Sequence, residues 1–336
     1  MKSVSLILPT QNMSESLGPL LKDLGASGLA EAFLEIIVVN DGSTDSTKNL
    51  LQIFSTELIY KNKLKVIHNK KSQGRFEARR QGAVSAKGEL VFFLDSRIYL
   101  IPGTTEKIIS SLQKHSFLMG MTIIDISKSV FNLYWERTHA WIYRKHYQDV
   151  KKGFYLSSEN YEQYSKGTGL LVVLKDDFLK ACDKLGSVKI MADDTLLIQE
   201  IVQKHPIYVT SEFQFGWEPR QNLSEFLVRL FDRGPGFVQY HFFKQRTRFF
   251  YASLLAFTFG IFVLWGSWVQ SSSLLPGLLS LIAIAGFSLI LVTRNIFEFL
   301  KMFFLHILVL ISFSAGILYG IVYCLLHLKK STETRT

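Results

Sequence analysis

The sequence predicts an α/β fold, a mostly parallel sheet with helices on both faces, followed by membrane-crossing helices. Three observations carry that reading. Two apolar runs end in acidic loops, EIIVVNDGSTD at 35–45 and ELVFFLDSRIY at 89–99, placing Asp41 and Asp95 at strand ends. Short apolar runs alternate with helical patterns over the first 115 or so residues, which is the mark of βαβ units. From residue 249 onward charge almost vanishes. Open α/β sheets bind ligands in the crevice beyond the carboxyl ends of their strands, so Asp41 and Asp95 read as parts of one nucleotide site.

Taken in order, Ser3 to Leu8 is an apolar strand broken at Pro9 before the polar Thr10-Gln11-Asn12, and Leu17 to Ala32 is helical. With the strand from Glu35 this makes a parallel βαβ unit. Ser43 to Phe54 reads as the next helix, with Ser43 or Thr44 as its N-cap. Lys65 to His68 is a short strand, Arg75 to Ala86 a helix closed by Gly88, Leu90 to Leu94 a strand, and Thr104 to Leu112 a helix. The stretch TLLIQEIVQK, 195–204, is helical and starts just after Asp193-Asp194, where acids favour the macrodipole.

Three apolar runs follow: Phe249 to Val269, Leu274 to Val292 and Met302 to Leu326, the last with only His306 as a titrating group. Each approaches the roughly 20 residues a helix needs to span hydrocarbon. A buried hairpin in a soluble core is the alternative, and three successive runs of this length argue against it. Lys244, Arg246 and Arg248 precede the first run and an uncharged turn, Gln270 to Ser273, follows it, so the positive-inside rule puts the first flank in the cytoplasm. Three full spans would leave the tail outside, whereas Lys329, Lys330 and Arg335 favour holding it inside. A re-entrant or interfacial run, or a dominant first flank, reconciles the two. Val4 to Leu8 is too short for a signal core and lacks a cationic lead, so the N-terminal domain is expected in the cytoplasm, on the plasma (inner) membrane.

The net charge of +10 invites a nucleic-acid partner, but the cations are grouped: Lys61 to Arg80 holds eight Lys or Arg against Glu77 alone. No nucleic-acid module accompanies them, and a solvated face competes with a role near phosphates or anionic headgroups. Two cysteines, Cys182 and Cys324, support neither a disulfide framework nor a cysteine zinc site, and the histidines show no metal-ligand spacing. No GxGxxG turn and no GxxxxGK[ST] loop occurs, which removes the dinucleotide and P-loop classes.

Five motifs occur in a telling order: LPTQN after the first strand, VVNDGSTDST after the second, ARRQGAVSAKGELVFFLDSR, GTGLLVVLKDDFLKACDKLG and MADDTLL. Over about residues 3–235 the chain thereby resembles the GT-A nucleotide-sugar glycosyltransferases of family 2. The resemblance implies that Pro9, Thr10, Asn12 and Asp41 hold the nucleoside, with Asp41 pairing base or ribose. Asp95 matches the first acid of the family's DxD motif, and Asp194, second of Asp193-Asp194, matches the catalytic base. Gly167, Thr168 and Gly169 would line the site between donor and acceptor. A carboxylate in line behind the anomeric carbon can take the acceptor's proton, and displacement opposite the leaving diphosphate inverts that centre.

The chain departs from the family at the DxD position, which reads Asp95-Ser96-Arg97. The second carboxylate, normally a ligand for Mg2+ or Mn2+, is replaced by a cation that cannot coordinate one. A guanidinium could neutralise the diphosphate directly. Alternatively the metal binds through Asp95, the diphosphate and another ligand, or the domain is inactive.

The segment Asn222 to Arg248 resembles the Arg-Gly region preceding the spans of membrane-bound members that act in exopolysaccharide assembly. It suits an interfacial placement, with Arg229 or Arg233 as diphosphate contacts. Asp125, His139, Trp141 and His146, within the aromatic-rich Met121 to Lys166, read as core packing or as an acceptor-binding insertion. The expected organisation is a GT-A domain at 1–221, an interfacial amphipathic segment at 222–248, a transmembrane region at 249–328 and a polar tail at 329–336. The implied function is an inverting, hexosyltransferase-type enzyme moving sugar from a UDP-sugar to a lipid-linked saccharide at the cytoplasmic face. A polyprenyl-phosphate acceptor and a non-catalytic nucleotide-sugar-binding subunit are the alternatives. Three spans are too few for a polymer channel, and the processive QxxRW motif is absent.

Overall fold

The computed structural model describes residues 2–186 and 192–333. The chain divides into two compact units. The first joins Met1–Asp125 to Tyr143–Glu218, and the second joins Ile126–Ile142 to Pro219–Thr336.

The first unit contains β1 (Val4–Thr10), α1 (Ser14–Ala26), β2 (Glu35–Asp41), α2 (Thr47–Thr56), β3 (Leu64–Asn69), α3 (Arg75–Ser85), β4 (Leu90–Leu94), β5 (Ile98–Tyr99), α4 (Thr105–Lys114) and β6 (Leu118–Ile123). The chain then passes through α5 (Val130–Ile142), which belongs to the second unit. It returns with α6 (Arg144–Asp149), β7 (Phe154–Leu156), β8 (Leu170–Leu174), α7 (Lys175–Leu185), α8 (Asp193–Val202) and β9 (Ile207–Trp217). One sheet results, in the order β3-β2-β1-β4-β8-β6-β9-β5, with β7 beside β9.

The βαβ crossovers make β3, β2, β1 and β4 parallel, as expected from the alternating pattern. Beyond β4 the sheet is mixed: β8 runs antiparallel between β4 and β6, β6 pairs parallel with β9, and β5 and β7 pair antiparallel with β9. Strands β1, β2 and β4 are buried along almost their whole length, so they read as continuous apolar runs and not as alternating ones. One core face stacks Leu6, Leu8, Ile36, Val38 and Phe92 against Leu17, Leu20, Leu21 and Leu24 of α1.

Two local expectations change. The helix read at Leu17 to Ala32 ends at Ala26, because Gly28 takes φ 74° and starts a separate 3-10 turn over Leu29–Ala32. The second helix begins at Thr47 and its N-cap is Ser46. Ser43 and Thr44 do not cap it because Asn12 engages them both. The Asn12 N–H donates to Ser43 Oγ at 2.9 Å, and the Thr44 N–H donates to Asn12 Oδ1 at 2.7 Å.

The second unit packs α5 with α9 (Leu223–Val238), α10 (Arg248–Ser271), α11 (Leu275–Ile290) and α12 (Ile296–Glu333). Asn222 caps α9, accepting from the N–H groups of Ser224 and Glu225. Helices α9 and α12 meet backbone to backbone: a Cβ on Gly316 would lie 2.2 Å from Phe231 O, and one on Gly234 would lie 2.2 Å from the Gly316 carbonyl carbon. Side chains larger than hydrogen at these glycines would force the helices apart. At its start α12 is tied to α5 by a two-pronged Arg137–Glu298 ion pair, and further along by Tyr134, whose hydroxyl lies 2.8 Å from His306 Nδ1.

Of the three apolar runs, two form helices long and apolar enough to cross a membrane among the described residues, Arg248–Ser271 and Ile296–Leu326. The middle run gives the 16-residue α11, about 24 Å long. It falls short of the roughly 30 Å of hydrocarbon because a turn after Ile290 ends it.

In the first unit, His146 is buried among Tyr147, Phe154 and Tyr164, and its Nδ1 has no hydrogen-bond partner among the described residues. Burial pushes its pKa down to about 4, with Lys166 adding to the depression and Asp149 opposing it. The unfolded chain therefore binds the proton first as pH falls. Stability from this site is complete above pH 6.5 and is lost as pH drops toward 4. Thermal unfolding of the detergent-solubilised chain is expected to show about 3 kcal/mol of acid destabilisation over that window, and His146→Phe should flatten this dependence.

Candidate active site

The carboxyl ends of the parallel strands align the polar residues. Thr10 of β1 pairs in register with Asn40 of β2, and Asp41 with Asn69 of β3. Strand β8 enters antiparallel beside β4, so its leading residues arrive at the same edge: the Asp95 N–H donates to Gly169 O at 3.1 Å. A Cβ on Gly169 would stand 3.3 Å from Asp95 Cβ, which explains a glycine here. Thus Thr10, Asp41, Asp95 and the Gly167-Thr168-Gly169 run gather at one sheet edge. Thr10 is 4% exposed, and its Oγ1 has no hydrogen-bond partner among the described residues.

Asp41 accepts four hydrogen bonds. Oδ1 takes Asn69 Nδ2 at 2.8 Å and the Gln73 N–H at 2.8 Å, and Oδ2 takes Ser72 Oγ at 2.8 Å and the Gly74 N–H at 2.9 Å. A carboxylate offers about four lone-pair sites, so this one is filled. The resemblance gave Asp41 a base or ribose contact; in this structure it clamps the 70–74 loop at the N-terminus of α3. A nucleoside that pairs with it must displace Asn69 or Ser72. The clamp is drawn tight by Gly42, at φ 70°, where a Cβ would lie 2.6 Å from Ser72 N. Asn12, at φ 52°, holds the other wall by its bonds to Ser43 Oγ and to the Thr44 and Asp45 N–H groups.

The DxD position closes on itself. Asp95 Oδ1 accepts the Arg97 backbone N–H at 2.9 Å and Oδ2 meets Arg97 Nη2 at 3.1 Å. Arg97 lies over Trp217, 5.0 Å from the ring centre, with Ser96 buried between the paired residues. Burial would raise the Asp95 carboxyl, but the Arg97 charge and its hydrogen bonds, aided by Arg79, hold it below the usual aspartate range.

Asp194 is likewise paired. Arg79 Nη1 of α3 reaches Asp194 Oδ1 at 3.0 Å, and Thr168 donates its hydroxyl to the same oxygen. Arg79 can do so because a Cβ on Gly82 would lie 2.5 Å from Ile7 Cγ2, so α3 lies close on the sheet. Residues three apart share a helix face, and Arg79, nearer the helix N-terminus, therefore points to the strand-end edge. Asp193 opens α8, and its side chain lies outside the described ones. Arg229 and Arg233 belong to α9 in the second unit, where the Arg233 guanidinium stacks 4.2 Å from the Trp135 ring centre.

Sequence reading gave no role to Arg79, Asn69, Ser72 or Trp217. Only Arg79 left a signal, three residues before a glycine in a helix that leads into the buried strand β4. The basic cluster Lys61 to Arg80 is partly absorbed by the fold: Lys63 Nζ binds the carbonyls of Ala30, Glu31 and Phe33, and Arg80 pairs with Asp183.

The acidic residues do not fit a divalent cation as they stand. Among the described residues no three His, Cys, Asp or Glu side chains form a ligand group. Asp95, the ligand the resemblance implied for Mg2+ or Mn2+, carries a guanidinium on its carboxylate.

The comparisons with known proteins bear on the domain that carries this edge. Residues 5–166 match the glycosyl transferase family 2 domain, and the sheet that carries them is a mixed α/β sheet of GT-A type. Glycosyltransferase AglE of Haloferax volcanii is 33% identical over 92 residues, 27% of this chain and 29% of AglE. Poly(ribitol-phosphate) beta-N-acetylglucosaminyltransferase TarS of Staphylococcus aureus is 31% identical over 116 residues, 34% of this chain and 20% of TarS. The chain thus spans less than a third of either relative. Mannosyltransferase PcManGT from Pyrobaculum calidifontis, solved in complex with GDP-Man and Mn2+, superimposes at a TM-score of 0.57 with 14% identity, over 95% of this chain and 87% of that one. That likeness is one of fold.

Removing the Asp41 carboxylate leaves two buried-edge N–H groups and two side chains without their acceptor. Asp41→Ala is expected to cost about 2–4 kcal/mol, read as a drop of several degrees in apparent Tm, whereas Asp41→Asn should cost less because one amide oxygen still accepts.

Proposed function

We propose that this chain is an inverting glycosyltransferase that moves a sugar from a nucleoside diphosphate, UDP in the first instance, to a lipid-linked saccharide at the cytoplasmic membrane face. The observation that carries the reading is the pair of acids at one strand edge, Asp95 with Arg97 and Asp194 with Arg79 and Thr168.

Each residue has a chemical task. The nucleoside lies along the ends of β1 and β2, where Thr10 has an unsatisfied buried hydroxyl to offer. Arg97, always charged and held by Trp217, turns its remaining N–H groups to the diphosphate and neutralises the leaving group. Asp194 takes the proton of the acceptor hydroxyl as its oxygen bonds to the anomeric carbon. The bond from that carbon to the diphosphate breaks on the opposite face, and the electron pair leaves with the nucleotide. Thr168 and Arg79 orient Asp194, and Gly167 and Gly169 leave room for the sugar beside it. In this reading Arg97 supplies at the diphosphate the positive charge that Mg2+ or Mn2+ supplies where a second acid is present.

The membrane part of the reading is supported by α10, whose apolar window contains no buried residue, and by α12. The cations Lys244, Arg246 and Arg248 ahead of α10 favour a cytoplasmic flank. A polyprenyl phosphate would need the base less, being already anionic, so dependence on Asp194 favours a hydroxyl acceptor.

The decisive experiment incubates membranes containing the chain with radioactive nucleotide sugars, with and without EDTA, and counts the lipid extract. Label is expected with the wild type, and Asp194→Asn should lower it by about 10²–10⁴-fold while nucleotide binding stays within a few-fold. Nucleotide binding with no transfer across a broad panel would replace the enzyme by a binding subunit. In the same assay the wild type is expected to keep its transfer in EDTA. Arg97→Asp, which restores a second acid, should lose transfer in EDTA and regain it with added Mn2+; EDTA-sensitive wild type would refute the role of Arg97.

A further inference from the structure

The elbow between α9 and α10 holds a cavity that the glycosyl-transfer reading does not use. Gln239–Lys244 is a π-helical turn; the chain then extends through Gln245, and Thr247 caps α10 by accepting from the Phe249 N–H. His241 Nδ1 lies 2.7 Å from Thr247 Oγ1, which ties the turn to the cap. Inside this elbow lies a cavity of about 680 Å³. One wall is apolar, from Phe242, Phe250 and Ile321, and the other is polar, from Lys244, Gln245 and Arg246. Phe242 and Phe250 meet edge to face at 4.9 Å, and Arg246 lies 5.4 Å from the Phe250 ring centre. Neither Lys244 nor Arg246 has a carboxylate partner among the described residues.

We propose that this elbow cavity binds the phosphate headgroup of an anionic membrane phospholipid, with its acyl chain along α10. The walls define the ligand. Two uncompensated cations within three residues call for an anion, and a guanidinium takes phosphate oxygens two at a time. The aromatic wall and the exposed apolar surface of α10 beginning at the same point call for a hydrocarbon tail. An inorganic anion would leave that wall wet, and a neutral lipid would leave the cations unmatched. The cavity thus reads the charge of the leaflet in which α10 starts.

The proposal rests on the reading that α10 lies in a bilayer, and the two are tested apart. Resistance of the chain to carbonate extraction from membranes reports on the bilayer. Native mass spectrometry of the detergent-solubilised chain, titrated with phosphatidylglycerol or phosphatidylcholine, reports on the cavity. Tight retention of one phosphatidylglycerol is expected, with weak retention of phosphatidylcholine. K244Q/R246Q, at two exposed positions, should weaken it by about 30-fold, from the usual attraction of two cations to an anionic headgroup. The unaltered positions Lys329 and Lys330 provide the control pair: K329Q/K330Q should leave this retention as in the wild type. Carbonate resistance together with equal retention by wild type and K244Q/R246Q would overturn the headgroup site. Inorganic phosphate displacing phosphatidylglycerol at equal concentration would overturn the lipid, and tenfold tighter retention of a polyprenyl phosphate would overturn its being a bulk phospholipid.

Discussion

The four hydrogen bonds on Asp41 are the constraint from which the site is built. They fasten the 70–74 loop to the end of β2 and set where α3 begins. The start of α3, with Gly82 pressed on Ile7, decides where Arg79 emerges. Arg79 in turn reaches Asp194, so an acid at residue 41 positions one at residue 194 through a helix between them. A carboxylate at the N-terminus of that helix also sits where the peptide dipoles favour it.

Both acids of the proposed chemistry, Asp95 and Asp194, carry an arginine. On the proposed reading, a nucleoside diphosphate would bring negative charge to a place where Arg97 still carries its full charge. In that reading the cation that meets phosphate is already in place, and Trp217 under Arg97 restricts how far it can swing.

Much of this architecture was legible in the sequence because the strands are buried on both faces and end in acids. Asp41, Asp95 and Asp194 announce themselves by following apolar runs or opening a helix. What stayed hidden in the first unit has one cause: partners distant in the chain. Ser43 and Thr44 look like caps until Asn12, about 30 residues earlier, takes them. The donors from residues 69–74 that fill the Asp41 carboxylate left no signal beside it in the chain. Arg79 looks like one of many surface cations, since only the docking of α3 shows which way it faces. The middle apolar run was counted by composition, while helix length is set by where the backbone turns, after Ile290.

The order of the chain adds a consequence of its own. Helix α5 is synthesised between β6 and β7, yet Leu133, Tyr134 and Arg137 find their partners, Phe226, His306 and Glu298, only after the last strand is complete. During synthesis this helix must wait about 90 residues for Phe226 and more than 150 for Glu298 and His306, a state that invites non-native association. A chain ended after β9 would keep every strand of the sheet and leave that wait permanent. The C-terminal helices therefore serve as the completing half of a discontinuous fold, and their arrival, late in translation, is the step at which α5 becomes native.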